Sequence, residues 1–201
     1  MGVSRVSVRE ALKSLATAGF VEIRQGGGCY VRSLVSDKLR DPLSLMIKEN
    51  NERIFDLLEV RKEIEASSAY HAARRATESD IASLAQIIDE MNRYSETTQT
   101  PPHKLDADFH LAISQASHNA IQSHLMFTIY DLFSEYFIFL TERICFNRKY
   151  LEKIHSQHCE IFEAIKQRSP DAARQSTTEH LNFVEAELKN LFTSLSLSKH
   201  Q

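Results

Sequence analysis

Beyond residue 28 the chain has no glycine: all five glycines fall within the first 28 of its 201 residues. Prolines are few, at Pro42, Pro101, Pro102 and Pro170, and there is no tryptophan. A β-rich body with many tight turns is excluded by this scarcity, and long helices with few breaks are the expected alternative. Three scattered cysteines, Cys29, Cys145 and Cys159, form no CxxC pair, which argues against a disulfide framework and for a reducing compartment. No apolar run approaches a membrane span and no signal peptide opens the chain, so a soluble, cytoplasmic protein with no membrane partner is expected. A hydrophobic share of 42% excludes wholesale disorder. The net charge of −3 is uneven: residues 1–34 hold five Lys/Arg against two Asp/Glu, and the remainder carries −6. A basic head on an acidic body fits a DNA-contacting module joined to another domain, although such a patch is ordinary by itself.

What is present begins with Gly2–Arg32. Ser4 can cap a helix whose apolar stripe is Val8, Leu12 and Leu15. Arg5, Ser7, Arg9 and Lys13 lie outside the stripe, where they can reach phosphates or base edges. Gly19 is placed to end the helix. Phe20–Arg24 and Cys29–Arg32 alternate like two short strands, with Gly26, Gly27 and Gly28 as the turn between them. Gly27, at that turn, completes the candidate DNA-contacting set. The segment resembles the DNA-binding domain of the GntR family of bacterial transcription regulators, through Val3-Ser4-Arg5, Val8-Arg9-Glu10-Ala11-Leu12, Gly19-Phe20 and Arg24-Gln25-Gly26-Gly27-Gly28. The resemblance implies a winged helix-turn-helix whose first two helices are missing, since the chain starts inside the turn before the recognition helix. Operator binding by this truncated form is therefore expected to be impaired.

Residues 35–44 read as a linker, with a short helix over 43–48. The remaining pattern predicts helices over 54–76, from Thr77 or Ser79 to about 94, and over 103–117, 119–146, 149–168 and 171–195. Ser169-Pro170 is the turn of the last hairpin, with proline early in the following helix. The expected architecture is an all-α antiparallel bundle over 45–201, preceded by a partial winged helix-turn-helix over 1–34 with a short β-hairpin. Tyr130, Phe133, Tyr136, Phe137 and Phe139 read as core or dimer surface.

Four residues of the body stand out. Asp106 and His110 are four apart, on one helix face. His158 and His180 each lie eleven residues from Ser169, so an antiparallel helix pair puts them at one height. Ile154, Ile161 and Ile165 accompany His158, and Ala173, Thr177 and Val184 accompany His180, so both imidazoles can point inward. Three imidazoles and a carboxylate suit Zn²⁺, Ni²⁺ or Mn²⁺, although single histidines on such faces are usually core residues. His155 could replace or supplement His158, and Asp108 is off the face and reads as solvated. Arg61 lies on an otherwise apolar face, where it either pairs with Glu65 or faces a cavity. Asn119 is either a helix cap or a donor to a ligand.

Leu58-Glu59-Val60-Arg61, Ile64-Glu65, Phe109-His110, Ala116-Ser117-His118-Asn119, Phe162-Glu163-Ala164-Ile165 and His180-Leu181 resemble the FCD ligand-binding domain of the FadR subfamily, over roughly residues 45–195, most nearly its lactate-, glycolate- and pyruvate-responsive branch. That resemblance implies Asp106, His110, His158 and His180 as metal ligands and Arg61 as the fork that holds an effector carboxylate. It implies a homodimeric transcription regulator whose operator binding is controlled by a small organic acid. Two other readings compete. A metalloenzyme needs a general base beside the metal set, and none is placed there; Glu152 and His155 match one Glu-x-x-His element where a di-iron bundle needs two. A metal-stabilised helical interaction protein that has lost specific DNA binding is the other.

Overall fold

The computed structural model describes residues 4–17, 21–24, 28–31, 46–47, 49–50, 52–93, 102–144 and 148–198. It divides into two compact units, Met1–Leu45 and Met46–Gln201.

In the first unit, Ser4 opens helix α1 (Arg5–Thr17). Its Oγ accepts the backbone N–H of Ser7 at 3.1 Å, which satisfies one of the donors left over in a first helical turn. Leu12 is half-buried, whereas Val6, Val8 and Leu15 are exposed, so much of the apolar stripe lacks cover. Strands β1 (Val21–Arg24) and β2 (Gly28–Val31) pair antiparallel, in register from Val21 opposite Val31 to Arg24 opposite Gly28. Gly28 therefore belongs to a strand and not to the turn where its glycine neighbours suggested it, because residues 25–27 suffice to connect the strands. Gly19, Gly26, Gly27 and the linker lie outside the described residues.

The second unit is helical throughout its described length apart from turns. Its helices are α2 (Arg53–Arg75), α3 (Glu78–Asn92), α4 (Pro102–Ala116), α5 (Ala120–Ile144), α6 (Arg148–Lys166) and α7 (Pro170–Ser198). Each expected long helix is present, with ends within three residues of the spacing-based bounds. Helix α2 buries Ile54, Leu58, Arg61, Glu65, Ala69 and Ala72, at steps of three or four that keep one face inward. Thr77 starts α3 through a capping box: Thr77 Oγ1 accepts from Asp80 N, and Asp80 Oδ2 accepts from Thr77 N at 2.7 Å.

The shortage of glycine shows at the helix ends. His118 and Arg168 take left-handed backbone angles, φ 50 and φ 57, where glycine is the usual occupant. At Arg168 the turn closes with Ser169 N donating to Ala164 O and Arg168 N to Ile165 O, the two bonds of a Schellman cap. The Arg168 guanidinium then donates to Ala76 O and pairs with Glu78 at 3.3 Å. These contacts offset the side-chain crowding that makes this conformation costly for a non-glycine residue. The hairpin α6–α7 is thereby fixed at its turn.

Two large apolar clusters fill most of the bundle, beside a smaller one of Met126, Ile129 and Tyr130. One includes Ala69, Ala73, Leu84, Phe109, Ile161 and Ile165; the other includes Ile54, Leu58, Tyr150, Ile154, Val184 and Leu188. Between them, in order along three helices, lie polar side chains. Arg61 and Glu65 fall between Leu58 and Ala69, His158 between Ile154 and Ile161, and His180 between Ala173 and Val184. A polar layer thus crosses an apolar core. Burying such groups costs free energy unless each finds a partner, so the layer needs a reason to exist.

Candidate metal centre

The fixed hairpin brings His158 of α6 opposite His180 of α7, and α4 adds Asp106 and His110 from one face. One ligand atom from each of the four lies within 4.8 Å of all the others. His158 Nε2 is 3.3 Å and His110 Nε2 3.9 Å from Asp106 Oδ1. The imidazole centroids are 5.1 Å apart for His110 and His158, 5.1 Å for His110 and His180, and 4.7 Å for His158 and His180. All three rings are buried, and the Asp106 side chain retains 17% exposure, the one ligand with a path to solvent.

The nitrogens that are not directed at the centre have assigned partners in two of the three cases. His110 Nδ1 sits 2.6 Å from Glu65 Oε2. His180 Nδ1 sits 3.2 Å from Gln157 Oε1, an oxygen that can only accept. Both contacts favour the tautomer with hydrogen on Nδ1 and leave the Nε2 lone pair free to bind an ion. Such carboxylate or amide support is the usual companion of a metal-binding histidine. Meanwhile His110 Nε2, His158 Nε2 and His180 Nε2 are buried without a hydrogen-bond partner. Buried nitrogens rarely go unsatisfied, and a divalent cation among them satisfies all three at once. The donor set therefore fits an ion such as zinc.

Electrostatics point the same way. Burial pushes His158 below the ordinary imidazole value, against the opposing pull of Asp106. His180 is pushed well below it, by burial and then by the neighbouring His158 and His110. Neutral imidazole is the form that ligates. Burial favours the neutral acid of Asp106, but the close approach of the His158 and His110 rings and the charge of Arg61 outweigh it, and the carboxyl is held well below its usual range. Both protonation states are those that metal binding requires.

Next in the layer is Arg61. Its guanidinium is buried; Nε donates to Glu65 Oε1, Nη2 donates to Tyr130 Oη at 2.5 Å, and the group lies 4.8 Å over the Tyr130 ring. The pairing with Glu65 is thus formed, and the arginine also borders the metal set through Glu65. Asn119 is not among the four converging residues; its Oδ1 accepts the backbone N–H of Gln122 at 3.2 Å and caps α5. His155 is turned away, with Nε2 at 2.7 Å from Asn92 Oδ1, and Asp108 also stands outside the set. Of the DNA-contacting candidates, Ser7 and Arg9 are exposed on α1, Lys13 is exposed and paired with Glu10 at 2.9 Å, and Arg5 lies in the helix's first turn. Only the backbone of Phe133, Tyr136, Phe137 and Phe139 is described. Glu65, Gln157 and Tyr130 were missed as members of the site. The available signal for Glu65 was a carboxylate four residues after Arg61 on an apolar face; for Gln157 it was a second polar residue beside His158 on the hairpin's inner side.

Residues 56–183 match the FCD domain family, and residues 1–31 match the family of bacterial regulatory proteins called gntR. The "Putative L-lactate dehydrogenase operon regulatory protein" of Escherichia coli (strain K12) is 32% identical over 195 residues, covering 94% of this chain and 74% of that protein. The HTH-type transcriptional regulator LutR of Bacillus subtilis (strain 168) is 32% identical over 191 residues, covering 94% of this chain and 87% of that protein. Among solved structures, a GntR of Streptococcus agalactiae superposes with a TM-score of 0.65 at 26% identity, over 90% of this chain and 82% of that one.

Proposed function

The chain belongs to the GntR family of bacterial regulatory proteins and carries an FCD domain, and from that membership we propose that a small carboxylic acid, bound between a metal and Arg61, controls its hold on DNA. The protein is a DNA-binding transcription regulator and not an enzyme, as the family and its relatives are. Among the described residues no helix is long and apolar enough to cross a membrane. A regulator of this kind acts in the cytoplasm, where its operator is.

The observation that carries the reading is the polar layer. One ligand atom from each of four residues converges within 4.8 Å, and three of the residues are buried histidines whose Nε2 atoms have no hydrogen-bond partner. Asp106, His110, His158 and His180 hold the ion in this reading, with zinc, nickel or manganese as the candidates. When bound, the ion supplies a Lewis-acidic centre for carboxylate and hydroxyl or keto oxygens. Arg61, across Glu65 from His110, supplies the fixed cation for the acid's carboxylate. The name of the L-lactate dehydrogenase operon relative supports a lactate-like acid, with glycolate and pyruvate as close alternatives. Arg5, Ser7, Arg9, Lys13 and Gly27 contact the operator, and a homodimer presents two such heads, whose spacing the acid alters. Asn119 donates to the acid only through its amide nitrogen, since its oxygen is taken up by the cap.

Titration calorimetry tests this. Lactate, glycolate, pyruvate and a dicarboxylate are titrated into wild type and Arg61→Lys, each with and without chelator. One acid class binds wild type, and the substitution weakens it about tenfold to a hundredfold, because a point charge cannot replace the fork. Binding at full strength through both the substitution and the chelator places the acid elsewhere.

A second reading is favoured by the exposed Val6, Val8 and Leu15 of α1. An exposed apolar stripe suits a metal-stabilised helical interaction protein without specific operator binding. A gel shift with operator DNA separates the two.

A further inference from the structure

We infer that Glu65 is the positioning residue that makes metal binding and acid binding interdependent; the inference rests on the acid-sensing reading above. Glu65 is buried, at 2% exposure, and each of its oxygens serves a different functional group. Oε1 accepts from Arg61 Nε and also lies 3.5 Å from Tyr130 Oη, while Oε2 is 2.6 Å from His110 Nδ1. One carboxylate therefore joins the cation meant for the acid to a ligand meant for the metal. Arg61 and Glu65 are a single helical turn apart on α2, and His110 reaches them from α4, so no intervening side chain is needed.

Two consequences follow, of opposite sign. Toward the metal, Glu65 helps: it keeps hydrogen on His110 Nδ1 and so directs the Nε2 lone pair at the ion. Toward the acid, Glu65 competes. It is a carboxylate already seated on Arg61, and an incoming carboxylate has to share the guanidinium with it or move it aside. Two like charges at one guanidinium in a buried layer repel strongly. Glu65 is thus an internal stand-in for the effector. It keeps the buried arginine paired when no acid is bound, and it holds acid affinity down until the acid brings contacts of its own. If the acid draws Arg61 away, the freed Oε1 changes the charge felt by His110. The acid's arrival is thereby transmitted to a metal ligand without any contact between them.

The test is a pair of titrations on the full chain, zinc first and then lactate at saturating zinc, for wild type, Glu65→Gln and Gln157→Ala. Folding of each variant is checked by circular dichroism. Glu65→Gln weakens zinc tenfold to a hundredfold and tightens lactate about tenfold. Gln157→Ala, which removes the corresponding support from His180 but touches nothing at Arg61, weakens zinc and leaves lactate unchanged. The opposed shifts are the signature, because a merely structural role for Glu65 weakens both ligands together. If Glu65→Gln does not fold, Glu65→Asp carries the test. Its shorter arm spares one partner only, so zinc and lactate still do not weaken together. Parallel weakening, or no change in either constant, overturns the inference. A wild type that binds zinc but none of the acids overturns the acid-sensing reading itself, and the inference falls with it.

Discussion

Removing the metal should lower the unfolding temperature of the wild-type protein, and the size of the drop follows from linkage. An ion held by these residues would bind the folded chain alone, because only there do Asp106, His110, His158 and His180 lie within 4.8 Å of one another. At a free zinc concentration one hundred times the dissociation constant, binding stabilises the fold by about 2.7 kcal/mol. In a domain of this size each kcal/mol moves the midpoint by roughly 2–4 °C. Chelation should therefore lower it by about 5–11 °C. His158→Ala removes one ligand and, with it, a ring packed 4.8 Å from Phe109. Its own midpoint shifts for packing reasons as well, so the informative quantity is the difference between zinc-loaded and chelated samples of the same variant. That difference should vanish in His158→Ala and persist in His155→Ala, whose ring bonds Asn92 instead. Differential scanning calorimetry on the three pairs of samples reads it directly. A wild-type midpoint that ignores both chelator and added zinc refutes the reasoning, as does a His158→Ala protein that responds like wild type.

The metal-free protein should also lose stability as pH falls from 7.5 to 5.5. His158 and His180 are held below the ordinary imidazole value, so below about pH 6.5 the unfolded chain takes up protons that the folded chain refuses. Each histidine then costs up to about 1.4 kcal/mol per pH unit until its depressed folded value is reached, and a denaturant midpoint that is flat or rises toward acid contradicts this. In a gel shift, affinity for operator DNA should fall steeply as salt rises, because the exposed Arg9 and Lys13 of α1 are placed to meet phosphates. Binding that ignores salt sinks that expectation.

The convergence of Asp106, His110, His158 and His180 was legible because their spacing is local or symmetric. Asp106 and His110 are one helical turn apart, and any helix aligns them. His158 and His180 needed only the position of the hairpin turn, which Pro170 marks and the cap at Arg168 fixes. The turn at Gly28 was misjudged because a run of three glycines carries no register; strand pairing with Arg24 decides it. For Arg61, spacing left two options standing, and a pair four residues apart on a helix is always geometrically possible. The structure forms that pair, yet the pairing does not exhaust the arginine's surroundings, since Tyr130 approaches from α5. Sequence distance carries no trace of that contact.

The supporting contacts of the metal set were hidden for the same reason. Glu65 meets His110 from another helix, and Gln157 meets not its neighbour His158 but His180 across the hairpin. Such pairs depend on the heights and rotations of helices against one another, which periodicity does not encode. They are nonetheless contacts that three histidines packed singly into a core would lack. A buried neutral imidazole carries one donor and one acceptor nitrogen, and a core histidine is at rest when each has a partner. Here Nδ1 of His110 lies 2.6 Å from Glu65 Oε2 and Nδ1 of His180 lies 3.2 Å from Gln157 Oε1, while neither Nε2 has a hydrogen-bond partner. A core built only for packing has no cause to spend two buried polar partners on orienting two rings toward a shared centre. A core built around an ion does, because the lone pairs must be presented before the ion arrives. The lining of the layer by Arg61 and Glu65 extends the same logic from a cation to an anion. In the acid-sensing reading the layer is a place where charges of both signs are prepared in advance, between the apolar clusters of the core.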